Sequence, residues 1–236
     1  MQPGDRIYAI GDIHGRSDLL DRIYALVRAD AAQAPQGRRL VVHLGDYVDR
    51  GPDSRGVIDR VMAPPLPGFA SLTLIGNHEA LMREFLERPV DAGPGWMMNG
   101  AGATMASYGV DPPKRVDDAV ALGRARFALK QALPAAHQRF LDTLLPMAAE
   151  EGYLFVHAGV RPGVPAAEQR LEDLIWIREE FLDSDADHGA IVVHGHSIAP
   201  EPQLRANRIG IDTGAYRSGR LTAVVLSAGP PRFLQT

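Results

Sequence analysis

Gly45-Asp46-Tyr47-Val48-Asp49-Arg50-Gly51 follows the apolar run Leu40-Val41-Val42-His43-Leu44. A short β-branched run that closes on Gly-Asp reads as a buried strand delivering a carboxylate at its C-terminal end. In open α/β sheets, ligands sit beyond those ends. One such Asp proves little, because Asp and Gly also make ordinary turns. The pattern recurs, however. Arg6-Ile7-Tyr8-Ala9-Ile10 runs into Gly11-Asp12-Ile13-His14-Gly15, and Ser71-Leu72-Thr73-Leu74-Ile75 into Gly76-Asn77-His78-Glu79. Tyr153-Leu154-Phe155-Val156 runs into His157-Ala158-Gly159, and Ile191-Val192-Val193 into His194-Gly195-His196. Every one of these strand ends offers a hard oxygen or an imidazole, and Asp46 is the natural bridge among them.

The chain has 236 residues, enough for one large α/β domain with a full core. Its 45% hydrophobic and 23% charged content is ordinary for a globular protein. A net charge of −4 argues against general nucleic-acid or membrane-surface binding. The absence of cysteine excludes disulfides, thiolate zinc sites and cysteine nucleophiles, so a metal must be held by O and N ligands. The first strand is expected within a few residues of the N-terminus, with no basic-then-apolar leader before it. No stretch approaches the ~20 apolar residues of a membrane span. These features together predict a cytoplasmic protein.

The spacing predicts a strand over 6–10 and an amphipathic helix to Ala32, with Ser17 as N-cap and Leu19, Leu20, Ile23, Leu26 and Val27 on one face. Pro35-Gln36-Gly37 ends that unit. A strand over 39–44, a helix near 54–62 and a strand over 70–75 follow, with Pro64-Pro65-Leu66-Pro67-Gly68 as a rigid connector. The β-α-β-α-β order favours parallel pairing. From Glu79 to about Leu145 the pattern is helical, broken at Asp91-Ala92-Gly93-Pro94-Gly95 and Asp111-Pro112-Pro113. This reads as a helical insert, over about 84–145, within a single domain spanning 1–236. Strands return near 153–157 and 190–194, and 207–211, 220–226 and 231–234 read as a closing antiparallel set.

Asp, Asn and His are the ligands of a borderline divalent metal. Asp12, His14 and Asp46 can surround one ion; Asp46, Asn77, His157 and His196 can surround a second. A shared carboxylate holds two ions about 3.5–4 Å apart, the spacing of two-metal hydrolytic sites. Manganese is the expected metal, with iron, zinc, nickel and cobalt as alternatives. His78, next to Asn77, can sit in the site without binding metal and act as a general acid. Asp49 can hold its other ring nitrogen. Arg50 and Arg178 offer planar, permanently charged forks for phosphate oxygens, and Asn77 can join them there.

The order GDIHG, GDYVDRG, GNHE, HAG and HGH resembles the phosphoprotein phosphatase branch of the calcineurin-like metallophosphoesterases. It is most similar to small bacterial and phage Ser/Thr protein phosphatases and to symmetrical dinucleoside tetraphosphatases. The resemblance runs from Arg6 to Thr222 and includes Ile175-Trp176-Ile177-Arg178 and Ile211-Asp212-Thr213-Gly214. It implies an α/β (α+β) sandwich of two mixed β-sheets flanked by helices, with a dimetal site at one edge. It carries the ligand role onto Asp12, His14, Asp46, Asn77, His157 and His196. It carries the acid onto His78, its partner onto Asp49, and the phosphate clamps onto Arg50 and Arg178. Two positions depart from the pattern: Ile75 stands where the family has Arg, and Ser197-Ile198 where it has Thr-Pro.

Taken singly, each of these residues has a plainer use. Asp12 or Asp46 would cap a turn, His14 or His157 would be a buried imidazole, and Asp49 would cap the turn at Gly51. Arg178 would pair with Glu179 or Glu180 on a surface turn. Taken together, ligand types at successive strand ends outweigh coincidence. His43, His137 and His188 read as structural or solvated, and His194 as buried or supporting the site. Trp96-Met97-Met98 reads as helix packing. Arg83, Arg88, Arg124, Arg126 and Lys130 read as a solvated face. The expected activity is that of a metal-dependent phosphomonoesterase acting on a phosphoprotein or phosphopeptide. Small phosphorylated substrates, such as a dinucleoside polyphosphate or an RNA 5′ end, are the alternative, and a binding module that keeps only the fold is the remaining one.

Overall fold

Ile7, Tyr8, Ala9 and Ile10 are all buried, so the first strand has both faces covered. That is why it reads as a continuous apolar run rather than an alternating one. The computed structural model describes residues 1–34, 36–63 and 66–236. Pro35 of the expected Pro35-Gln36-Gly37 turn, and Pro64 and Pro65 of the expected connector, lie outside the described residues.

The first sheet holds β1 (Arg6–Ile10), β2 (Arg39–His43), β3 (Ala70–Thr73), β9 (Thr222–Leu226) and β10 (Arg232–Gln235), in the order β10-β9-β1-β2-β3. The second holds β4 (Met147–Glu150), β5 (Tyr153–Val156), β6 (Ile191–His194), β7 (Gln203–Leu204) and β8 (Arg208–Gly210), in the order β4-β5-β6-β8-β7. β1, β2 and β3 pair in parallel, as do β5, β6 and β8. The period of two sorts each strand's side chains between two cores. Ile7, Ala9, Leu40 and Val42 of the first sheet meet Phe155, Val193 and Ile209 of the second in the layer between the sheets. Tyr8, Ile10 and Val41 face the helices instead. The result is a sandwich of two mixed sheets with helices outside.

Those helices are α1 (Ser17–Ala32) and α2 (Ser54–Met62), then α3 (Asn77–Glu87), α4 (Pro89–Met98), α5 (Ala101–Ser107), α6 (Ala119–Ala132) and α7 (Ala135–Thr143) between β3 and β4. Short α8 (Leu171–Trp176), α9 (Glu179–Leu182) and α10 (Ala215–Ser218) lie in the second half. No described helix is long and apolar enough to cross a membrane.

Three local expectations are corrected. Ser17 is the first residue of α1 rather than its cap; its hydroxyl donates to Asp53 Oδ2 at 2.5 Å. Asp91–Gly95 does not break the helical region but lies inside α4, Pro94 included. Pro94 forfeits one i→i−4 bond, yet α4 packs on α3 and α6, with Gly93 closely apposed to Leu122, and that packing prevails. The three C-terminal strands are not one antiparallel set: β8 joins the second sheet in parallel with β6, while β9 and β10 close the first. Strands β4 and β7, at the edges of the second sheet, had no signal in the spacing.

His43 and His194 are structural. Both are buried, and burial pushes each ring down to about 4. His43 Nε2 lies 2.8 Å from the Tyr24 hydroxyl. A neutral buried imidazole gives stability that is complete above the unfolded value near 6.5 and is lost as pH falls toward the folded one. Urea unfolding of wild type and His43→Gln, each at pH 7.5 and pH 5, should show this: the loss between those pH values should be smaller in the variant by about 2 kcal/mol. Equal losses would mean that His43 is charged in the fold.

Candidate active site

The sandwich brings the C-terminal ends of β1, β2, β3, β5 and β6 to one edge, and the residues singled out in the sequence meet there. Asp12 and His14 follow β1; Asp46, Asp49 and Arg50 follow β2; Asn77 and His78 open α3. His157 follows β5 and His196 follows β6. All of these except Arg50 are buried.

The loops that carry them are held in costly backbone conformations. Of six non-glycine residues with positive φ among those described, five are His14, Asp46, Asp49, Arg50 and His196. Such strain persists only where surrounding contacts over-determine it. Glu79 supplies many of those contacts: its carboxylate accepts the backbone N–H groups of Asp46 (2.8 Å), Tyr47 (2.7 Å), Val48 (3.2 Å) and Gly76 (3.0 Å). Burial pushes that carboxyl up to about 7. Close approach does the rest, since a Cβ at Gly76 would collide with Asp46 and one at Gly195 with Asp12.

Asp46 sits at the centre. Its Oδ2 is 3.4 Å from His14 Nε2, and its Oδ1 is 3.4 Å from His157 Nε2. His14 Nδ1–H donates to Val48 O at 2.8 Å and His157 Nδ1–H to Leu44 O at 2.9 Å. Burial, first, drives both rings well below the usual imidazole range, so they are neutral and each Nε2 presents a bare lone pair. Asn77 Oδ1 lies 2.9 Å from His157 Nε2 and 3.0 Å from His196 Nδ1. Electron-rich atoms therefore converge with no proton available between His157 and Asn77, and burial raises the Asp46 carboxyl that lies between the two rings. A cation satisfies that arrangement. Donor atoms of His14, Asp46 and His78 lie within 4.8 Å of one another, as do those of Asp46, His157 and His196. Asp12 is set to one side: its carboxylate accepts the His196 N–H at 3.1 and 3.2 Å and hydrogen-bonds Asp212. Burial, then Asp212 and Asp46, raise Asp12 well above the usual carboxylate range, while burial pushes Asp212 up to about 6. This donor set, rich in carboxylates and bare imidazoles, fits divalent metal ions.

His78 Nδ1 lies 2.6 Å from Asp49 Oδ2, and its Nε2 lies 3.8 Å from Asp46 Oδ2. Burial pulls the ring down, but Asp46 and then Asp49 outweigh it and raise the pKa. Arg50 donates to His14 Nε2 and His78 Nε2, both at 3.0 Å, and its guanidinium lies 4.8 Å from the centre of the Tyr216 ring. Arg178 is exposed and reaches Ser197 Oγ at 3.4 Å; among the described residues it has no ion pair with Glu179 or Glu180. Ser197, one of the two departures from the resemblance, thus touches a candidate phosphate clamp. Ile75, the other, is buried in the core.

Several residues at the site were given no part in its chemistry by the sequence reading: Glu79, Trp96, Thr104, Trp176, Asp212 and Tyr216. Glu79, Trp176 and Asp212 lie inside quoted motifs. The others carry a polar or aromatic handle in otherwise apolar or short segments, a signal too common to act on alone. Trp96 is packed against Phe85 as expected, but its indole N–H also donates to Asp49 Oδ2 at 2.8 Å. The insert's cations lie elsewhere: Arg88 pairs with Glu84, Arg126 donates to Leu86 O, and Arg124 and Lys130 are exposed on α6.

The sequence pattern of the calcineurin-like phosphoesterase family matches residues 5–218. A bis(5'-nucleosyl)-tetraphosphatase PrpE (asymmetrical) of Anoxybacillus flavithermus is 27% identical over 91% of this chain and 88% of its own. Among solved structures, a candidate diadenosine tetraphosphatase superposes with a TM-score of 0.66 at 20% identity, covering 98% of this chain and 94% of that one. A protein serine/threonine phosphatase from Saccharomyces cerevisiae superposes with a TM-score of 0.56 at 14% identity, covering 99% and 80%. At such identities both structures speak for the fold alone.

Proposed function

Because the chain belongs to the calcineurin-like phosphoesterase family, we propose that it is a metal-dependent hydrolase of dinucleoside polyphosphates. The observation that carries the substrate class is an open surface cleft of about 430 Å³ lined by Trp176, Arg178, Arg161, Arg170 and the acids around them, which meets the metal-type donors where Trp176 lies against His196. Trp176 is 39% exposed, and its ring lies edge to face with His196 at 6.0 Å. An exposed indole next to a phosphoryl site suits a nucleobase, whose stacking is worth about 1–3 kcal/mol. Arg161 is engaged by Asp173 and Glu180, and Arg170 by Glu172, which leaves Arg178 to meet phosphate. The acidic rim suits the amino edge of a base rather than a phosphate chain. Phe85 and Trp96 of the insert are fully buried and cannot meet a base, whereas Trp176 can. The name of the Anoxybacillus relative points the same way and adds an asymmetrical cut, which releases a nucleoside monophosphate and a triphosphate.

In this reading Asp12, His14 and Asp46 would hold one cation, and Asp46, Asn77, His157 and His196 a second. Two divalent cations there would supply a nucleophile at neutral pH and neutralise charge on the transferred phosphoryl group. Arg50, beside His14 and His78, and Arg178, beside Ser197, would grip phosphoryl oxygens. With Arg50 turned to the substrate, His78 Nε2 would be free to take a proton from solvent. Asp49 keeps the imidazole oriented and favours its charged form, so that Nε2–H can protonate the leaving oxygen.

Steady-state kinetics on the Mn-loaded protein test this. kcat/KM for diadenosine tetraphosphate should exceed that for the best phosphoserine or phosphothreonine peptide by at least 100-fold, about 2.7 kcal/mol of extra transition-state binding. Trp176→Ala should shrink that ratio while leaving 4-nitrophenyl phosphate turnover in place. A ratio that favours the peptide returns the protein to the Ser/Thr phosphatase reading.

A further inference from the structure

The helical insert reaches the candidate acid through two side chains on neighbouring helices. Trp96, near the end of α4, is fully buried, and its Nε1–H donates to Asp49 Oδ2 at 2.8 Å. The same oxygen faces His78 Nδ1 at 2.6 Å. Thr104, on α5, is also fully buried; its hydroxyl donates to Asp49 Oδ1 at 2.6 Å and accepts the Asp49 N–H at 2.8 Å. Ser54 Oγ completes the nest, 3.0 Å from both Asp49 N and Thr104 Oγ1. The turn between the two helices adds a third tie: Gly100 O accepts the Arg50 N–H at 3.3 Å.

Packing alone does not call for these atoms. A buried indole N–H or hydroxyl costs free energy unless it is bonded, and an apolar residue of the same shape would fill either place without that cost. Thr104 gives its proton to Asp49 rather than to a carbonyl of its own helix. Asp49 itself sits at φ 72, a conformation that needs outside support. Donors on both carboxylate oxygens fix the plane of the group. That plane fixes the rotation of the His78 ring, and so the direction of Nε2.

We propose that Trp96 and Thr104 are positioning residues for the Asp49–His78 pair, so that the α4–α5 corner of the insert belongs to the catalytic apparatus. This rests on the phosphoester-hydrolase reading but not on the nature of the nucleotide. The test uses Trp96→Phe and Thr104→Val, which keep shape and remove the donor, with Thr104→Ser, which keeps the hydroxyl. Each Mn-loaded protein is assayed on phenyl phosphate, whose leaving oxygen needs a proton, and on 4-nitrophenyl phosphate, whose leaving oxygen scarcely does. Loss of an outer-shell partner should lower kcat on phenyl phosphate about 10- to 100-fold, with KM and metal content unchanged and little loss on 4-nitrophenyl phosphate. Thr104→Ser should recover the rate lost in Thr104→Val. In the metal-free protein, where no paramagnetic Mn broadens it, the low-field NMR resonance of the His78 Nδ1–H should shift or broaden in both donor-less variants. An equal loss on the two esters, or full activity with that resonance unmoved, overturns the proposal. Should Trp96→Phe fail to fold, Thr104→Val decides. Should wild type hydrolyse neither ester, the hydrolase reading fails, and the resonance alone decides the positioning.

Discussion

Asp46→Asn should strip the protein of both bound cations and lower turnover of 4-nitrophenyl phosphate by about 10³-fold or more, the several kcal/mol that metal-borne charge stabilisation supplies. The two Asp46 oxygens face different imidazoles, His14 on one side and His157 on the other, each at 3.4 Å. The side chain is therefore the one carboxylate placed to serve both halves of the donor set. Conversion to an amide removes a negative charge and one of the two anionic oxygens while keeping size. Neither His14 nor His157 can compensate, because each is fixed by a backbone carbonyl behind it. Metal analysis of the purified variant together with its rate checks this. Two ions at full occupancy with near-normal activity would sink the bridging role.

His78→Asn should retain metal and lose about 10²–10⁴ of turnover on phenyl phosphate, the range for a missing general acid. The loss should contract on 4-nitrophenyl phosphate. The geometry leaves a competing use for the same ring, since its donor atom groups with those of His14 and Asp46 within 4.8 Å. We read it as an acid because Nε2 stands 3.8 Å from Asp46 Oδ2, beside Arg50, and because Nδ1 rests on Asp49, which favours the protonated ring. Metal content separates the two: a variant that loses an ion makes His78 a ligand, and an equal loss on both esters makes it a positioning group.

What makes the first row of site residues legible is locality. Asp12, Asp46, Asn77, His157 and His196 each lie a few residues past a short apolar run, and such a run predicts a strand whose end faces ligands. The parallel β1-β2-β3 core is legible for the same reason, because short β-α-β units leave little choice of pairing. Arg178 is less so. Its neighbours Glu179 and Glu180 offered a surface ion pair, and only in the fold does Arg161 claim Glu180 while Arg178 turns to Ser197.

The strand ends, the O and N donor set without thiolates, and the helical nature of the segment between β3 and β4 can be read from the chain alone, since each depends on residues close together along it. The tertiary structure alone decided that β8 leaves β9 for the other sheet, that α4 runs through Pro94, and that Trp96 and Thr104 close on Asp49. An apolar run of period two carries no label for the sheet it joins, and the packing of α4 on α3 and α6 outweighs one lost helical bond. Trp96 and Thr104 stand 47 and 55 residues from Asp49 along the chain. Their contact exists only because the insert folds back over the loop after β2, and no local pattern encodes where two distant segments will touch.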